Sequence, residues 1–422
     1  GENMAELVIN GGKPLQGEVK ISGAKNAVLP ILAGTVLGGG KSVIDRVPNL
    51  HDVKVMKEVL TTLGGEVEFV EDRMIVDTSE ITQCEISEEL MRKMRATVFL
   101  MGPLVARFGQ VKISQPGGCS IGSRPIDLHL KGLKALGVEF KSAHGSLEGK
   151  AENLTGAEIH LDFPSVGATE NIMMAATKAE GKTVIHNAAR EPEIVDLQNF
   201  LNQLGAKVRG AGTDVIKIKG VDELHPVTYQ VIPDRIEAGT YLLAGAITQG
   251  EVVAKNLIPK HIESILAKLT EAGIEVDTDG DKIRVKGVDS WQGINVKTLP
   301  YPGFPTDMQP QFMTLLTLAD GSSVITETIF DNRLKHADEL RRMGADIRLE
   351  GNSAIVRGVD KLSGAAVEAT DLRAGAALIL AGLAAQGETQ VENIYHVDRG
   401  YEYLENKLVN LGADVRRVKK EE

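Results

Sequence analysis

The sequence is poor in cysteine, in aromatic residues and in positive charge. Only 2 of its 422 residues are cysteine, which excludes a disulfide framework and predicts free thiols in the cytosol. Aspartate and glutamate number 58 against 47 lysine and arginine residues, and this net charge of −11 argues against a general nucleic-acid binder. No apolar run reaches the roughly 18 residues of a membrane span, and no secretory signal precedes the fold. We therefore expect a cytoplasmic protein with no membrane span and no nucleic-acid partner.

Glycine is abundant, with 45 residues, and it marks an internal repeat. One phrase, a helical run followed by an apolar residue, a glycine and a strand, occurs six times with its glycines at Gly64, Gly137, Gly205, Gly273, Gly344 and Gly412. A second phrase, an apolar helical stretch that ends at a glycine before a β-rich run, keeps the same period at Gly40, Gly109, Gly181, Gly250, Gly321 and Gly387. Generic α/β proteins also use glycine to cap helices, but not at so even a period. The pattern predicts six copies of one unit of about 70 residues.

The helical segments within these units are of two kinds. The stretches Ala238–Ile247 and Ala374–Leu383 are apolar nearly all round, which indicates buried inner helices. The stretches Asp196–Leu204 and Glu263–Ala272 are amphipathic, which indicates outer helices. Three units can surround a shared core of helices and place their sheets outside. We therefore predict an α/β fold of two domains, 25–232 and 1–24 plus 233–422, with a ligand site in the cleft between them.

The most unusual segment is a glycine-rich stretch at about 114–129 that contains Pro116-Gly117-Gly118-Cys119. Such a composition predicts a mobile, exposed loop. Free cysteine is usually buried, so Cys119 in this loop favours a reactive thiol, and Arg124 nearby would favour the thiolate. An incidental loop cysteine is the alternative. Cys84 lies in a strand-like run without a basic partner, and we interpret it as structural.

Basic residues recur near the starts of the inner helices, namely Lys25, Arg95, Arg235 and Arg373, and Arg399 lies in a further corner. A helix N-terminus favours anions, and a guanidinium adds a bidentate grip on phosphate or carboxylate. In an acidic protein, this set indicates a polyanionic small substrate. The alternative is that individual arginines pair with sequence neighbours, which are Asp234, Asp371 and Asp398.

Two further segments can be interpreted either as helix caps or as functional groups. Asp307 follows a Pro-Gly turn and precedes an inner helix at about 311–318, so it is either an N-cap or a general base, and its spacing favours the cap. Ser165, Val166 and Gly167 begin another inner helix, where they either cap it or bind phosphate. No P-loop, no dinucleotide fingerprint and no His/Cys cluster with zinc spacing is present, so no metal or cofactor is indicated.

Taken together and in order, these motifs resemble a known family over essentially the whole chain from Met4. The motifs are Lys25-Asn26, the Cys119 loop with Arg124-Pro125, Phe304-Pro305-Thr306-Asp307, Asp371-Leu372-Arg373 and Asp398-Arg399-Gly400-Tyr401. The ordered set resembles the UDP-N-acetylglucosamine 1-carboxyvinyltransferases, or UDP-N-acetylglucosamine enolpyruvyl transferases, of the EPSP synthase/enolpyruvyl transferase family. This implies an inverted α/β barrel (α/β prism) of two domains with three repeats each. It also implies a cytoplasmic transferase that makes the first committed step of peptidoglycan synthesis.

The resemblance also implies a reaction and a role for each matching residue. The enolpyruvyl group of phosphoenolpyruvate would pass to the 3-hydroxyl of UDP-N-acetylglucosamine through a tetrahedral intermediate, with release of phosphate and without cofactor or metal. Cys119 would protonate phosphoenolpyruvate and be alkylated by the inhibitor fosfomycin, and Asp307 would take the proton of the sugar hydroxyl. Phosphate and carboxylate would be held by Lys25, Arg124 and Arg399, with support from Asn26, Arg95 and Arg373. The uridine diphosphate site would comprise Arg124, Pro125, Ile126, Asp127, Leu128, Ser165, Val166, Gly167 and Ile329.

Two rival functions are compatible with much of this pattern. An enolpyruvyl transferase that uses shikimate 3-phosphate would share the fold, but the loop cysteine and the absence of that family's Gly-Asn-Ala-Gly-Thr stretch argue against it. A catalytically idle paralogue that binds the nucleotide sugar and regulates is the other. The presence of Cys119, Lys25, Asp307 and Arg399 argues against an idle protein.

Overall fold

The computed structural model of the protein describes residues 5–114 and 126–420. The chain divides into two compact units. We call Gly23–Ile232 the continuous unit, and Gly1–Ser22 with Pro233–Glu422 the split unit. Each unit has its own hydrophobic core, built from the inner helices and the inward faces of its sheets.

The continuous unit carries three four-stranded sheets. The first contains β3 (Lys41–Asp45), β4 (Glu66–Val70), β5 (Arg73–Asp77) and β14 (Thr228–Gln230). The second contains β6 (Glu85–Ile86), β7 (Gln110–Ser114), β8 (Glu139–Ala143) and β9 (Ser146–Lys150). The third contains β10 (Glu158–His160), β11 (Lys182–His186), β12 (Lys207–Arg209) and β13 (Val215–Lys219).

The split unit carries three more four-stranded sheets. One contains β2 (Gln16–Lys20), β15 (Glu251–Lys255), β16 (Glu275–Asp279) and β17 (Lys282–Lys286). The next contains β18 (Val296–Lys297), β19 (Ser322–Thr326), β20 (Asp346–Glu350) and β21 (Ser353–Arg357). The last contains β1 (Ala5–Asn10), β22 (Ala366–Glu368), β23 (Glu388–Glu392) and β24 (Asp414–Lys419).

All six sheets share one strand order, and within the described residues none of them closes into a barrel. An edge strand pairs in parallel with the strand that follows the inner helix, and two antiparallel strands complete the sheet. Two sheets of the split unit include strands from the start of the chain. β1 lies between β23 and β24, and β2 pairs with β15. In turn β14, just before the chain enters the split unit again, completes the sheet of β3. The prediction of six α/β repeats is confirmed.

The helices separate into the two predicted kinds. The inner helices are α1 (Lys25–Gly38), α4 (Met101–Phe108), α6 (Val166–Ala176), α8 (Arg235–Ile247), α10 (Gln309–Leu316) and α12 (Leu372–Ala384). The outer helices are α2 (His51–Thr62), α5 (Asp127–Ala135), α7 (Pro192–Gln203), α9 (Glu263–Glu271), α11 (His336–Arg342) and α14 (Leu404–Asn410). The described residues also form two short helices, α3 (Glu88–Lys93) and α13 (Tyr395–Asp398), and the 3-10 helices Arg95–Leu100, Pro259–Ile262 and Thr306–Met308.

The inner helices of each unit pack against one another, α1 with α4 and α6, and α8 with α10 and α12. Most of their residues are buried by strands or other helices; in α8, all residues from Ile236 to Ile247 are buried, including the polar Glu237 and Thr240. Among the described residues, no helix combines the length and the apolar character needed to cross a membrane.

The repeated glycines occupy backbone positions that other residues rarely adopt. All six glycines of the first phrase have φ between 90° and 113°, so each ends an outer helix in a left-handed conformation. In the second phrase, Gly109, Gly181, Gly321 and Gly387 also have positive φ, whereas at Gly40 and Gly250 the preceding residue, Gly39 or Gln249, takes it instead. The spacing of the glycines therefore follows from one corner geometry used in every repeat.

Candidate active site

Asp307 of the split unit lies in the 3-10 helix Thr306–Met308, directly before α10. Its carboxylate does not cap either helix. Instead, Oδ1 lies 3.0 Å from Nη1 of Arg333, and Oδ2 lies 3.7 Å from Nη2 of Arg373. The interpretation of Asp307 as an N-cap is therefore wrong, because two guanidinium groups occupy its oxygens.

Positive charge keeps this carboxylate ionised. Burial by itself would raise the pKa of Asp307, but Arg373, Arg333 and Arg235 together lower that pKa well below its usual range. The side chain still has 27% of its surface exposed, so a ligand can reach it. The result is a permanently anionic hydrogen-bond acceptor surrounded by three cations.

Arg373 is the second residue of α12 and is 3% exposed, and its guanidinium is fixed by a hydrogen bond to Tyr401. Its Nη1 donates to the Tyr401 hydroxyl at 3.1 Å, and that hydroxyl also lies 2.8 Å from Oγ1 of Thr240. Gln311 links this layer to the aspartate, because its Nε2 donates to the Asp307 carbonyl oxygen at 2.9 Å and to the Tyr401 hydroxyl at 3.4 Å. These contacts fix the guanidinium relative to the carboxylate.

A second buried carboxylate, Glu327, organises the segment that carries Asp307. Glu327 is 2% exposed and accepts five hydrogen bonds. The donors are Oγ1 of Thr298 (2.9 Å), Oγ1 of Thr306 (2.8 Å), Nε2 of Gln309 (3.1 Å) and the backbone N–H groups of Ile329 (3.0 Å) and Phe330 (3.2 Å). Glu327 thus joins the residue before Asp307 to Ile329, which the family resemblance implies for the nucleotide site.

The alternative that arginines pair with their sequence neighbours is wrong for Arg373, whose guanidinium contacts Asp307 and Tyr401. Asp371 caps α12 by accepting from the backbone N–H groups of Arg373 and Ala374, each at 2.9 Å. Asp398 pairs with Arg417 at 2.6 Å. Arg399 follows α13 and is half-buried. The pKa of His396 is lowered first by the burial of His396 and then by the charge of Arg399.

In the continuous unit, Lys25 is the first residue of α1 and forms an ion pair with Asp52. The Nζ–Oδ2 distance is 2.9 Å, and the two side chains are 12% and 2% exposed. Asp52 lies in the first turn of α2, and the ion pair fixes the Lys25 ammonium group to the start of that helix. Asn26, the next residue of α1, is exposed.

The starts of α5 and α6 come together in the same unit. The Oγ of Ser165 accepts from the Ala168 N–H at 3.2 Å, so Ser165 caps α6. Gly167 faces α5, since a Cβ at this position would lie 3.0 Å from Cε1 of His129 on that helix. Thus Ser165, Val166 and Gly167 adjoin the first turn of α5, which Ile126, Asp127 and Leu128 open.

His129 is the residue that joins these two helix starts. Its Nδ1 lies 2.8 Å from Nδ2 of Asn171 on α6. Burial, and then the charge of Arg95, lower the pKa of His129 to about 4. The ring is therefore neutral at physiological pH, and Nδ1 accepts the hydrogen bond that Asn171 donates. Arg95 opens the 3-10 helix Arg95–Leu100 and is exposed.

Three residues of the sequence prediction, Cys119, Arg124 and Pro125, lie outside the described residues. The other thiol, Cys84, is half-buried and lies one residue before β6 rather than within a strand. Burial raises the pKa of Cys84, and the charge of Arg107 opposes that rise. The expectation that Cys84 has no basic neighbour was therefore wrong, while the raised pKa agrees with an inert thiol.

Comparison with known proteins places this arrangement in a family. Residues 9–408 match the family described as EPSP synthase (3-phosphoshikimate 1-carboxyvinyltransferase). The chain belongs to the EPSP synthase family.

Family members at high identity carry one name. The chain is 55% identical over 419 residues to UDP-N-acetylglucosamine 1-carboxyvinyltransferase 1 of Carboxydothermus hydrogenoformans, covering 99% of this chain and 100% of the relative. It is 54% identical to UDP-N-acetylglucosamine 1-carboxyvinyltransferase of Halothermothrix orenii, with 99% and 100% covered. Among solved structures, the enolpyruvyl transferase NikO from Streptomyces tendae has a TM-score of 0.90 at 26% identity, covering 99% of both chains. EPSP synthase from Acinetobacter baumannii, with a TM-score of 0.80 at 18% identity over 98% of this chain and 99% of that one, shares the fold.

Sequence reasoning did not find three charged residues of this family member's candidate site, namely Asp52, Glu327 and Arg333. Each acts through a partner that is distant in sequence: Asp52 through Lys25, and Glu327 and Arg333 through Thr306 and Asp307. The available signals were local: Asp52 lies in the first turn of an outer helix, and Glu327 follows directly after β19.

Proposed function

We propose that this protein transfers the enolpyruvyl group of phosphoenolpyruvate to the 3-hydroxyl of UDP-N-acetylglucosamine, with release of phosphate. The observation that carries the proposal is the Asp307 carboxylate, kept ionised beside Arg235, Arg333 and Arg373, in a chain more than half identical to relatives named for this reaction. The product is the first committed precursor of peptidoglycan, and a cytoplasmic location is part of the proposal.

Asp307 acts as the acceptor of the hydroxyl proton. Because its pKa lies below the usual range, Asp307 is a weak base, and the proton moves only as the sugar oxygen forms its bond to C2 of phosphoenolpyruvate. Protonation of C3 in the same addition gives the tetrahedral intermediate. Loss of a proton from C3 and departure of phosphate then restore the double bond, and fixed cations stabilise the charge that develops.

Both units supply the other groups of the proposal. Lys25, held by Asp52, is directed to the phosphate or carboxylate of phosphoenolpyruvate, and Arg399 of the split unit has the same role. Ser165–Gly167 and the start of α5 bind the uridine diphosphate, while Cys119 delivers the proton to C3.

The deciding experiment measures phosphate release with phosphoenolpyruvate and each of two acceptors, UDP-N-acetylglucosamine and shikimate 3-phosphate. We expect turnover only with the nucleotide sugar, and a loss of about 10²-fold or more in kcat for Asp307→Asn. Asp279→Asn, an exposed change in β16, is the control and should leave kcat unchanged. Turnover with shikimate 3-phosphate, or no turnover with either acceptor, would overturn the proposal; the second outcome would favour the idle paralogue.

Fosfomycin tests the role of the loop thiol separately. We expect preincubation with fosfomycin to abolish phosphate release and to add one inhibitor mass to a peptide that contains Cys119. Cys119→Asp should keep some turnover and resist the inhibitor, whereas Cys84→Ala should stay fully sensitive. Full sensitivity of Cys119→Asp would contradict this role.

A further inference from the structure

We propose that Glu158, His160 and His186, on the outer face of the third sheet of the continuous unit, form a binding site for a divalent transition metal of the Zn²⁺ class. The site is independent of the proposed reaction, because none of its ligands belongs to the groups assigned to catalysis or substrate binding above. One strand pair builds it.

The strand register brings the three side chains together. β10 and β11 are parallel, and His160 is the register partner of His186. Glu158 precedes His160 by two residues, so both side chains point to the same exposed face, with buried Ile159 between them pointing inward. One ligand atom from each residue lies within 4.8 Å of the others, and Oε1 of Glu158 is 3.7 Å from Nε2 of His186.

The donor set suits zinc. Two imidazole nitrogens and one carboxylate oxygen are a known three-ligand combination for Zn²⁺, which takes water as its fourth ligand in open sites. The same donors also bind Cu²⁺ and Ni²⁺.

One side-chain rotation completes the site. The imidazole rings are stacked, with centroids 4.2 Å apart and an interplanar angle of 6°, so their nitrogen lone pairs lie in parallel planes and do not converge. A metal needs both lone pairs to point at one position, which requires one ring to turn about its Cβ–Cγ bond. His160 is exposed, which leaves room for its ring to turn, and the Glu158 side chain is 71% exposed.

The surroundings also permit a cation. The register partner of Glu158 is Val184, and that of His186 on β13 is Val215, so no basic residue stands directly opposite either ligand. On β13, Lys217 is the register partner of Val184, which is itself the register partner of Glu158. Val184 therefore separates this lysine from the Glu158 carboxylate across the sheet. The carboxylate therefore remains available for the metal.

A metal at this position would tie the carboxyl ends of two strands that α6 connects. His160 ends β10, and the chain continues from it into the Ser165 cap of α6. His186 ends β11, the strand after α6. Because a ligand that binds only the folded state stabilises it, bound Zn²⁺ should protect the continuous unit against unfolding.

The test is titration of chelator-treated full-length protein with ZnCl₂ at pH 7.5, followed by calorimetry. We expect one Zn²⁺ per chain at a site that His160→Ala or His186→Ala weakens about tenfold or more, and that Glu158→Gln weakens less. His144→Ala, at an exposed turn residue outside this group, is the matched control and should bind as the parent does.

Two further readouts separate this site from zinc bound by thiols or by the reaction centre. Zn²⁺ should raise the melting temperature of the parent and not that of the His160→Ala, His186→Ala double variant, and phosphate release without metal should be equal in the two proteins. Unchanged Zn²⁺ affinity in the double variant, or no binding by the parent, would overturn the proposal.

Discussion

Glu327 offers the sharpest test of how the split unit positions Asp307. In Glu327→Ala, the backbone N–H groups of Ile329 and Phe330 and the side chains of Thr298, Thr306 and Gln309 all lose an acceptor. A buried polar group that loses its partner costs about 1–3 kcal/mol. Hydroxyl and amide groups can turn elsewhere more easily than backbone N–H groups can, so we expect a loss of stability of about 2–5 kcal/mol.

Glu327→Ala should also lower kcat, by an effect separate from this loss of stability. Thr306 and Gln309 lie on either side of Asp307 and Met308, so releasing both lets the carboxylate shift relative to Arg333 and Arg373. A misplacement of about 1 Å at a reacting group can cost about 10²-fold in rate. We therefore predict a fall in kcat of about 10²-fold for Glu327→Ala and about tenfold for Glu327→Gln, which keeps the shape and one acceptor oxygen.

The assay is steady-state phosphate release with both substrates, together with urea unfolding of each variant. Ile283→Ala is the control, since Ile283 is fully buried in β17 of the same unit and its loss should cost about 2–5 kcal/mol without contact with Glu327. We expect the control to keep its kcat. The reasoning is refuted if Glu327→Ala retains the parental kcat while folded, or if Ile283→Ala loses as much; a parent without activity would instead refute the proposed function.

Two other predictions test the continuous unit and the pH dependence. Gly167→Ala places a methyl group 3.0 Å from Cε1 of His129, so the ring or the start of α5 must shift by a few tenths of an ångström. We expect the KM for UDP-N-acetylglucosamine to rise about tenfold with kcat less affected, and an unchanged KM would contradict the assigned contact. Burial raises the pKa of Glu237 from 4.5 to about 7, against the opposing charge of Lys407. Because the folded state holds this proton more tightly, the contribution of Glu237 is fully present below pH 4.5 and is lost as pH rises to about 7, a change of about 3 kcal/mol. In urea unfolding across this range, the stability of Glu237→Gln relative to the parent should therefore rise with pH. A constant difference would contradict the raised pKa of Glu237 in the folded state.

The repeat, the two kinds of helix and the corner glycines were predictable because each depends on local periodicity. A helix with no polar face must be buried, and a left-handed helix end selects glycine, so both leave a regular mark in the chain. The grouping of Arg235 and Arg373 near helix starts was predictable for the same reason. For Asp307, the carboxylate near both, the local spacing favoured a cap that the structure does not show, because capping patterns describe only neighbours in sequence.

The amino-acid sequence by itself determined the repeated α/β unit, the residues that form each core and the family resemblance. Tertiary structure alone decided which charges meet. The register of β10 with β11 places His160 beside His186, and the packing of α12 and of the turn before α11 directs Arg373 and Arg333 at one carboxylate. These pairings join residues 26 to 66 positions apart, where no local propensity acts, so only burial and strand pairing summed over the whole fold select them.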